Sequence, residues 1–216
     1  VPVAAALTGR IIAHELSLRW LHRDGEIAFE EFSSVAEASG LVAELGYWTI
    51  EKACSAISSA RWGGDSVRMC VDISVLNLQP PNLVASVVDR LSRYDTPRAM
   101  LEFEFSDTSA ILKHETCRAN IRELHAMGIR IVLDRFGLGY SSLIDLARLP
   151  VWRIKLDRAF IEAVNLADGN RSMGRAIIAM AHSMGIETTV YGVETSAHAT
   201  WLKELGCDAL PGSWVG

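Results

Sequence analysis

The chain has 216 residues, half of them apolar, and a formal charge of −5. This length is enough for one sizeable core. The mild acidity argues against a nucleic-acid polymer as partner, because proteins that bind such polymers usually carry a basic face. The four cysteines form no CxxC pair, which favours reduced thiols in a cytoplasmic setting. No apolar run approaches the ~18 residues of a membrane helix, so we expect no membrane contact by this domain.

β-rich runs and helical patterns alternate along the chain. A first candidate strand spans 1–6, and later strand candidates lie at 14–18, 67–73, 100–105, 130–134, 152–156, 187–191 and 207–211. Helical patterns lie at 29–41, 46–60, 81–93, 114–127, 170–184 and 195–204. This alternation predicts a parallel sheet with crossover helices. About eight strands in ~200 residues favour a closed α/β barrel over an open doubly wound sheet.

The chain as a whole is predicted to be one domain over residues 1–216. It begins at Val1 without methionine and ends at Gly216 just after a strand-like segment. We therefore expect it to be a fragment of a longer multidomain protein, whose parent could be membrane-anchored. The stretch FGLGYSS is not a GxGxxG fingerprint and does not open a long helix after a first strand, so the sequence does not indicate a dinucleotide fold.

Acidic side chains recur where the predicted strands end. In a barrel, the strand ends on one face build the active site, so groups that are distant in sequence converge there. Crowded carboxylates need a cation, a proton or a basic side chain, and hard oxygen ligands suit Mg²⁺, Mn²⁺ or Ca²⁺. The residues concerned are Glu15, Asp72, Glu104, Asp134, Asp157 and Glu194, with Lys155 among them.

Each of these residues also has an ordinary structural interpretation. A carboxylate at a strand end is often a helix N-cap, as Asp107 could be for the helix that follows it. Arg19 could form a surface ion pair worth less than about 1 kcal/mol. Lys155 could be a lysine at an edge, with its ammonium group in water. The functional interpretation gains weight because the acidic residues occupy matching places in several strand–helix units.

Five motifs, in order along the chain, resemble the EAL domains, bacterial phosphodiesterases that linearise cyclic di-GMP. They are TGRIIAHELSLRW, FGLGYSSL, RLPVWRIKLDRAFI, YGVET and ELGCDALPG. The resemblance covers essentially all residues. It implies a modified TIM (β/α)8 barrel with one reversed strand near the N-terminus, which fits the segment 1–6. It also implies a reaction in which two divalent metals activate a water that attacks a phosphate.

The resemblance assigns roles to individual residues. Glu15, Glu104 and Asp134 match metal ligands, and Asp72 stands where the family usually has Asn. Lys155 matches the lysine near the attacking water. The resemblance also marks Lys155 and Glu194 as retained catalytic residues. The ligand-binding residues that it implies are Glu15, Leu16, Arg19, Asp134, Lys155, Gly192 and Glu194.

Several positions depart from the family pattern. Arg135 replaces the second Asp of a metal-binding pair, and Tyr191 replaces a glutamate of the catalytic centre. An arginine donates hydrogen bonds but cannot polarise water as Mg²⁺ does. The resemblance therefore implies at most one weak site for Mg²⁺ or Mn²⁺. Further departures are Pro211 and Val1 for Gln, Leu138 for Thr, and Asp107 for a longer Glu.

These departures predict a degenerate EAL domain without useful catalysis. Two roles remain open for it, a receptor for cyclic di-GMP and a module that binds a protein partner or neighbouring domains of the parent chain. The alternative is a slow metal-dependent phosphodiesterase that produces linear pGpG. A titration with cyclic di-GMP beside a hydrolysis assay separates these hypotheses.

Overall fold

The structure is a computed structural model that describes residues 1–59, 67–136, 146–159 and 171–211, without the side chains of Glu30 and Arg171. Strands and helices alternate along most of this length. The strands are β1 Pro2–Ala5, β2 Ile11–Glu15, β3 Arg19–His22, β4 Gly25–Ala28, β5 Arg68–Asp72, β6 Leu101–Phe105, β7 Arg130–Phe136, β8 Arg153–Leu156, β9 Glu187–Val190 and β10 Ala209–Pro211. The helices are α1 Phe29–Ala38, α2 Leu41–Ser59, α3 Val75–Leu78, α4 Leu83–Arg93, α5 Thr108–Lys113, α6 Glu115–Ala126, α7 Arg171–Ser183 and α8 Ser196–Leu205.

Eight of the strands close into a barrel in the order β1, β10, β9, β8, β7, β6, β5, β2. β1 is antiparallel to both of its neighbours, with Val3 opposite Pro211 on one side and opposite Ala13 on the other. The pairs formed by the remaining barrel strands are parallel. The predicted barrel with one reversed strand near the N-terminus is thus confirmed.

The sequence of β6 shows which side chains face the helices and which face the inside of the barrel. Leu101, Phe103 and Phe105 are buried in the main hydrophobic core, whereas the alternate residues Glu102 and Glu104 reach charged groups on other strands. Successive side chains of a strand point to opposite faces. The apolar face of β6 therefore packs under the helices, and its two glutamates lie inside the barrel.

The sequence prediction misplaced one strand. The predicted strand 14–18 overlaps β2 only at residues 14 and 15, because β2 runs from Ile11 to Glu15. Residues 16–18 lie in no strand, and a separate β3–β4 hairpin follows, with Arg19 opposite Ala28. The Leu16 amide still donates to the carbonyl of Cys70 at 3.0 Å, after the strand itself has ended. The alternation of apolar and polar residues continues through this turn, so periodicity alone could not place the boundary.

The helix ends follow local capping rules. The Asp107 carboxylate accepts a hydrogen bond of 2.9 Å from the Ala110 amide, so Asp107 is the N-cap of α5, as its ordinary interpretation predicted. The described cysteines are free and buried. No helix within the described ranges is long and apolar enough to cross a membrane.

Candidate functional site

The carboxyl ends of the parallel strands bring the predicted acidic residues to one mouth of the barrel. Lys155, on β8, lies among them: its Nζ contacts the carboxylates of Glu15 and Glu104, and lies 3.7 Å from Oδ1 of Asp134. Asp72 pairs in register with Glu104 on the neighbouring strand. We call this group the mouth cluster, which consists of Glu15, Asp72, Glu104, Asp134, Lys155 and Tyr191.

Tyr191 follows β9 and closes the mouth cluster from a second side. Its hydroxyl donates a hydrogen bond of 2.7 Å to Oε2 of Glu15. The Nζ of Lys155 lies 4.2 Å from the centre of its ring, within the range of a cation–π contact. Burial raises the pKa of the Tyr191 phenol, so the hydroxyl remains a donor. Glu15 is therefore held at both oxygens by groups of the protein itself.

The two glutamates that share Lys155 differ in protonation. Burial disfavours the ionised form of both. At Glu15 the ammonium of Lys155 and the hydrogen bonds from Lys155 and Tyr191 outweigh burial and lower the pKa. At Glu104 burial prevails, and the nearby Glu15 and Asp134 carboxylates help to raise the pKa to about 8. The same ammonium is thus shared by one glutamate whose pKa is lowered and one whose pKa is raised.

Cys70 supports this arrangement from within the barrel. Its thiol lies 3.1 Å from Oε2 of Glu104 and donates a hydrogen bond to it. Burial, followed by the nearby Glu104 carboxylate, raises the pKa of the thiol, so it stays protonated and remains a donor.

Asp72, in contrast, is exposed at the rim. Desolvation and then Asp134 raise its pKa to about 6, and water screens part of this effect.

Arg135 has an unusual backbone conformation at the same mouth. Its φ is 51°, in the left-handed region that side chains other than glycine rarely adopt. The pairing of β7 with β8 shifts register between Leu133 and Phe136, which lets the chain bulge at this residue. The Arg135 side chain is 59% exposed, and its Nε lies 3.7 Å from Oδ2 of Asp134. A fixed positive charge therefore faces solvent beside an acidic residue.

The mouth cluster supplies hard oxygen donors of the type that Mg²⁺ and Mn²⁺ prefer. Its arrangement, however, does not fit a divalent ion, because the Lys155 ammonium lies between Glu15 and Glu104. Within the described ranges, no group of three or more His, Cys, Asp or Glu side chains is placed to hold a metal ion. The single weak site at Glu15, Asp72, Glu104 and Asp134 stays a prediction.

The family model of the EAL domain matches residues 1–216. This chain belongs to the EAL domain family. The Pseudomonas aeruginosa protein named bifunctional diguanylate cyclase/cyclic di-GMP phosphodiesterase MucR is 33% identical over 217 residues, which cover 100% of this chain and 32% of MucR. The cyclic di-GMP phosphodiesterase NbdA of the same organism is 30% identical over 213 residues, covering 98% of this chain and 26% of NbdA. The chain thus spans a third or less of these relatives.

Solved structures of EAL domains have the same barrel. The PaMucR phosphodiesterase, in its c-di-GMP complex, matches with a TM-score of 0.90 and 33% identity over 100% of this chain and 88% of that chain. The EAL domain of Mycobacterium smegmatis DcpA matches with a TM-score of 0.79 and 27% identity over 100% of this chain and 87% of that chain. These matches confirm the family that the five sequence motifs indicated.

Two predicted site residues of this EAL domain lie beside the mouth cluster rather than in it. Glu194 is exposed and forms an ion pair with Arg158, which follows β8. Gly192 has a φ of 76°, and a Cβ built on it would come within 2.5 Å of the Arg158 side chain. Arg158 therefore lies directly over Gly192, and the two connections after β8 and β9 meet at this point. The catalytic role predicted for Glu194 stays a prediction.

The remaining predicted positions are spread around the mouth. Leu16 packs against the main core. Arg19 lies on the β3–β4 hairpin with its Nε 3.3 Å from Oε1 of Glu26, so the surface ion pair considered for it is present. Pro211 is buried in β10 opposite Val3. Leu138 lies outside the described residues, as do all of residues 137–145.

A second charged group at the opposite end of the barrel was not predicted. The buried carboxylate of Glu102 contacts Arg68 and lies 3.3 Å from Nη1 of Arg153, while Arg153 lies 2.9 Å from Glu187. Trp152 stacks against this group, with the guanidinium carbons of Arg130 and Arg153 both 4.1 Å from its ring centre. We call it the floor cluster, which consists of Arg68, Glu102, Arg130, Arg153 and Glu187 with Trp152.

The sequence did contain a signal for the floor cluster. Each charged residue in it lies two or four positions before a residue of the mouth cluster, as Glu102 does before Glu104 and Arg153 before Lys155. Residues two apart on a strand share a face. The same alternation that placed the mouth residues inside the barrel therefore places these charges inside it as well, one layer lower.

Proposed function

We propose that this EAL domain is a receptor for cyclic di-GMP that does not hydrolyse it at an enzymatic rate. The match to the PaMucR phosphodiesterase in its c-di-GMP complex covers the whole chain and supports this choice of ligand. The names of MucR and NbdA support a place in cyclic di-GMP signalling. We include a cytoplasmic location in the proposal, supported by the four buried free thiols.

The observation that carries the proposal is the way Glu15 is held. Lys155 contacts one carboxylate oxygen of this signature glutamate, and the Tyr191 hydroxyl binds the other at 2.7 Å. A metal at Glu15 would have to share the carboxylate with the Lys155 ammonium, whose positive charge repels a divalent ion. Two-metal hydrolysis needs carboxylates that are free to clamp ions on the attacking and leaving oxygens. In the mouth cluster, the Lys155 ammonium and the Tyr191 hydroxyl already contact these carboxylates.

Arg135 gives the mouth a different means of attracting a phosphate. Its guanidinium is exposed and fixed in charge, and its contact with Asp134 is long. Guanidinium groups match the geometry of phosphate oxygens and bind them with two hydrogen bonds. We therefore assign Arg135 to the binding of a phosphodiester of the dinucleotide, at the edge of a site where other family members carry an acidic residue.

Calorimetric titration with cyclic di-GMP, with Mg²⁺ or with EDTA, tests the proposal beside chromatographic detection of pGpG. We expect binding that persists in EDTA, and no turnover near the ~1 s⁻¹ of ordinary enzymes. Arg135→Gln should weaken binding by about tenfold, which corresponds to about 1.4 kcal/mol. The matched control is Arg93→Gln on α4, because Arg93 is also 59% exposed and lies away from the mouth. Metal-dependent turnover that Glu15→Ala abolishes would instead favour the slow phosphodiesterase.

The protein-interaction module is the second candidate, and one surface favours it. Trp20 is 50% exposed and Leu21 is 80% exposed on the β3–β4 hairpin. Trp20 packs edge-on against Phe32 of α1 with 5.9 Å between ring centres. Exposed aromatic residues next to apolar ones are common in protein interfaces. If the titration detects no nucleotide, this hairpin becomes the first surface to test for a partner or a neighbouring domain.

A further inference from the structure

A small cavity lies inside the barrel between the mouth cluster and the floor cluster. Lys155 and Tyr191 line it from the mouth side, while Glu102 and Arg153 line it from the floor side. The wall between these two layers is made of smaller side chains, among them Cys70 and Thr189. The centre of a water-sized sphere can move within about 10 Å³ of this cavity.

Thr189 presents an unsatisfied polar atom to this cavity. Its side chain is 1% exposed, and its Oγ1 has no hydrogen-bond partner within the part of the chain that the structure describes. The neighbouring Thr188 provides a contrast, because its hydroxyl donates to Oδ2 of Asp208 at 3.0 Å. Buried hydroxyl groups in proteins are almost always hydrogen-bonded, either to the protein or to an ordered water.

We propose that this cavity is a binding site for one water molecule, hydrogen-bonded to Oγ1 of Thr189. The space open to the centre of a water-sized sphere is about 10 Å³, so a water molecule fits in the cavity. A bound water also needs two or more polar partners. Besides Thr189, the Arg153 guanidinium and the Glu102 carboxylate line the same space and supply a donor and an acceptor.

The water would connect two groups of charges that the protein otherwise keeps apart. The floor cluster and the mouth cluster occupy two layers of the barrel interior, and the layer between them is largely apolar, with Val3, Ala13 and Ala209 buried together. A water on Thr189 makes this middle layer polar on one side only. It extends the line of hydrogen-bonding groups from Arg153 towards Lys155 and Tyr191. This site does not depend on the proposed function, because it requires no nucleotide.

Two measurements on the whole chain test the site. A crystal structure at high resolution should show one density peak about 2.8 Å from Oγ1 of Thr189. Magnetic relaxation dispersion of water should count one long-lived internal water fewer in Thr189→Val than in the wild type. The matched control, Thr188→Val, changes the same side chain one residue away on the outer face of β9, and should leave this count unchanged.

Thr189→Ser keeps the hydroxyl and should keep the water, so the test remains decisive even if the valine variant does not fold. A dry cavity in the wild type would overturn the proposal. So would a Thr189→Val variant that retains the same density peak, because the water would then be held without Thr189. A peak with several ligands near 2.4 Å would identify a sodium ion and would also overturn it.

Discussion

The hydroxyl of Tyr191 donates a hydrogen bond of 2.7 Å to Oε2 of Glu15, which joins the residue after β9 to the last residue of β2. The sequence positions are 176 residues apart. The sequence resemblance predicts that Tyr191 replaces a glutamate of the catalytic centre. The phenol gives Glu15 a hydrogen-bond donor, whereas a carboxylate at this position would repel it.

Removal of this hydroxyl should destabilise the domain. We expect Tyr191→Phe to lower the free energy of unfolding by about 1–3 kcal/mol, because Glu15 loses a donor in a largely buried setting. The phenyl ring preserves the cation–π contact with Lys155, so the loss reports on the hydroxyl. Urea denaturation in EDTA measures it. The control is Tyr94→Phe, which removes a similar bond of 3.0 Å to Glu51 outside the barrel and should cost less.

Much of this site could be predicted from the sequence, because the end of each apolar run marks the end of a strand. Glu104 and Asp134 each follow or close an apolar run, and parallel strands align such ends at one mouth. The contact between Lys155 and Glu15 follows from the same rule. What the sequence did not predict is the bond from Tyr191 to Glu15, since a tyrosine near a strand end is as compatible with packing as with hydrogen bonding.

Other features escaped prediction for specific physical reasons. The β3–β4 hairpin was missed because the apolar alternation runs on past Glu15, although the hydrogen bonding of β2 stops there. The left-handed φ of Arg135 depends on the register shift between β7 and β8, which is a property of strand pairing and not of residue type. The role of Glu102 is not evident from its own strand, because its partners Arg68 and Arg153 lie on other strands.

The stability of the domain should fall as the pH rises through the titration of Glu104. Its pKa is raised to about 8 in the folded state from the ordinary glutamate value of 4.5, so the folded state binds the proton more tightly than the unfolded state. The contribution of this proton to the free energy of unfolding is complete below the pKa of the unfolded state. It is lost as the pH rises through the pKa of the folded state. We expect a decline on the order of 2 kcal/mol between pH ~5 and ~8.

The variant Glu104→Gln isolates this effect. Glutamine resembles the protonated acid, so the free energy of unfolding of the variant should depend less on pH over the same range. Glu123→Gln, on the exposed face of α6, should retain the wild-type profile. Urea titrations at several pH values in EDTA provide the comparison. A wild type whose stability rises between pH ~5 and ~8, relative to Glu104→Gln, would contradict the assigned direction.

The close approach of Arg158 to Gly192 can be measured with a pair of glycine variants. Gly192 and Gly40 have the same φ of 76°, but a Cβ at Gly192 would meet the Arg158 side chain at 2.5 Å, whereas a Cβ at Gly40 meets nothing within 4 Å. Both alanine variants pay the cost of a left-handed alanine, about 1 kcal/mol. We expect Gly192→Ala to cost at least ~1 kcal/mol more in urea denaturation. Equal losses would show that Arg158 moves aside freely.

The floor cluster should contribute strongly to stability through Glu102. This carboxylate is buried among Arg68, Arg130 and Arg153, so Glu102→Gln leaves three guanidinium groups with less opposing charge. Breaking a buried ion pair from one side typically costs about 3–5 kcal/mol. Asp89→Asn is the control, since its pair with Arg93 on α4 is exposed and should be worth less than about 1 kcal/mol. Thermal denaturation of both variants measures the difference.

The last prediction concerns Arg135 and Tyr191 together, the two residues that the family resemblance predicts to replace catalytic carboxylates. Arg135→Asp combined with Tyr191→Glu should produce hydrolysis of cyclic di-GMP that depends on added Mg²⁺ or Mn²⁺, whereas either change alone should produce little. The first substitution removes a repelling charge and supplies an acidic ligand, and aspartate tolerates the left-handed φ of 51° better than arginine does. The second substitution removes the donor that holds Oε2 of Glu15 and places a carboxylate beside it. Groups that act as one unit are strongly non-additive, so the double variant should exceed either single variant by about tenfold or more.

Chromatographic detection of pGpG measures this gain, and a third change, Glu15→Gln, should abolish it. The two single variants, the double variant and the triple variant need matched far-ultraviolet circular dichroism and a cyclic di-GMP titration, so that a loss of fold or of binding is separated from a loss of chemistry. A folded double variant that binds the nucleotide and the metal yet stays inactive would contradict the prediction. The obstacle to catalysis would then lie at another departure from the family pattern, such as Pro211 in β10 or the Asp107 cap of α5.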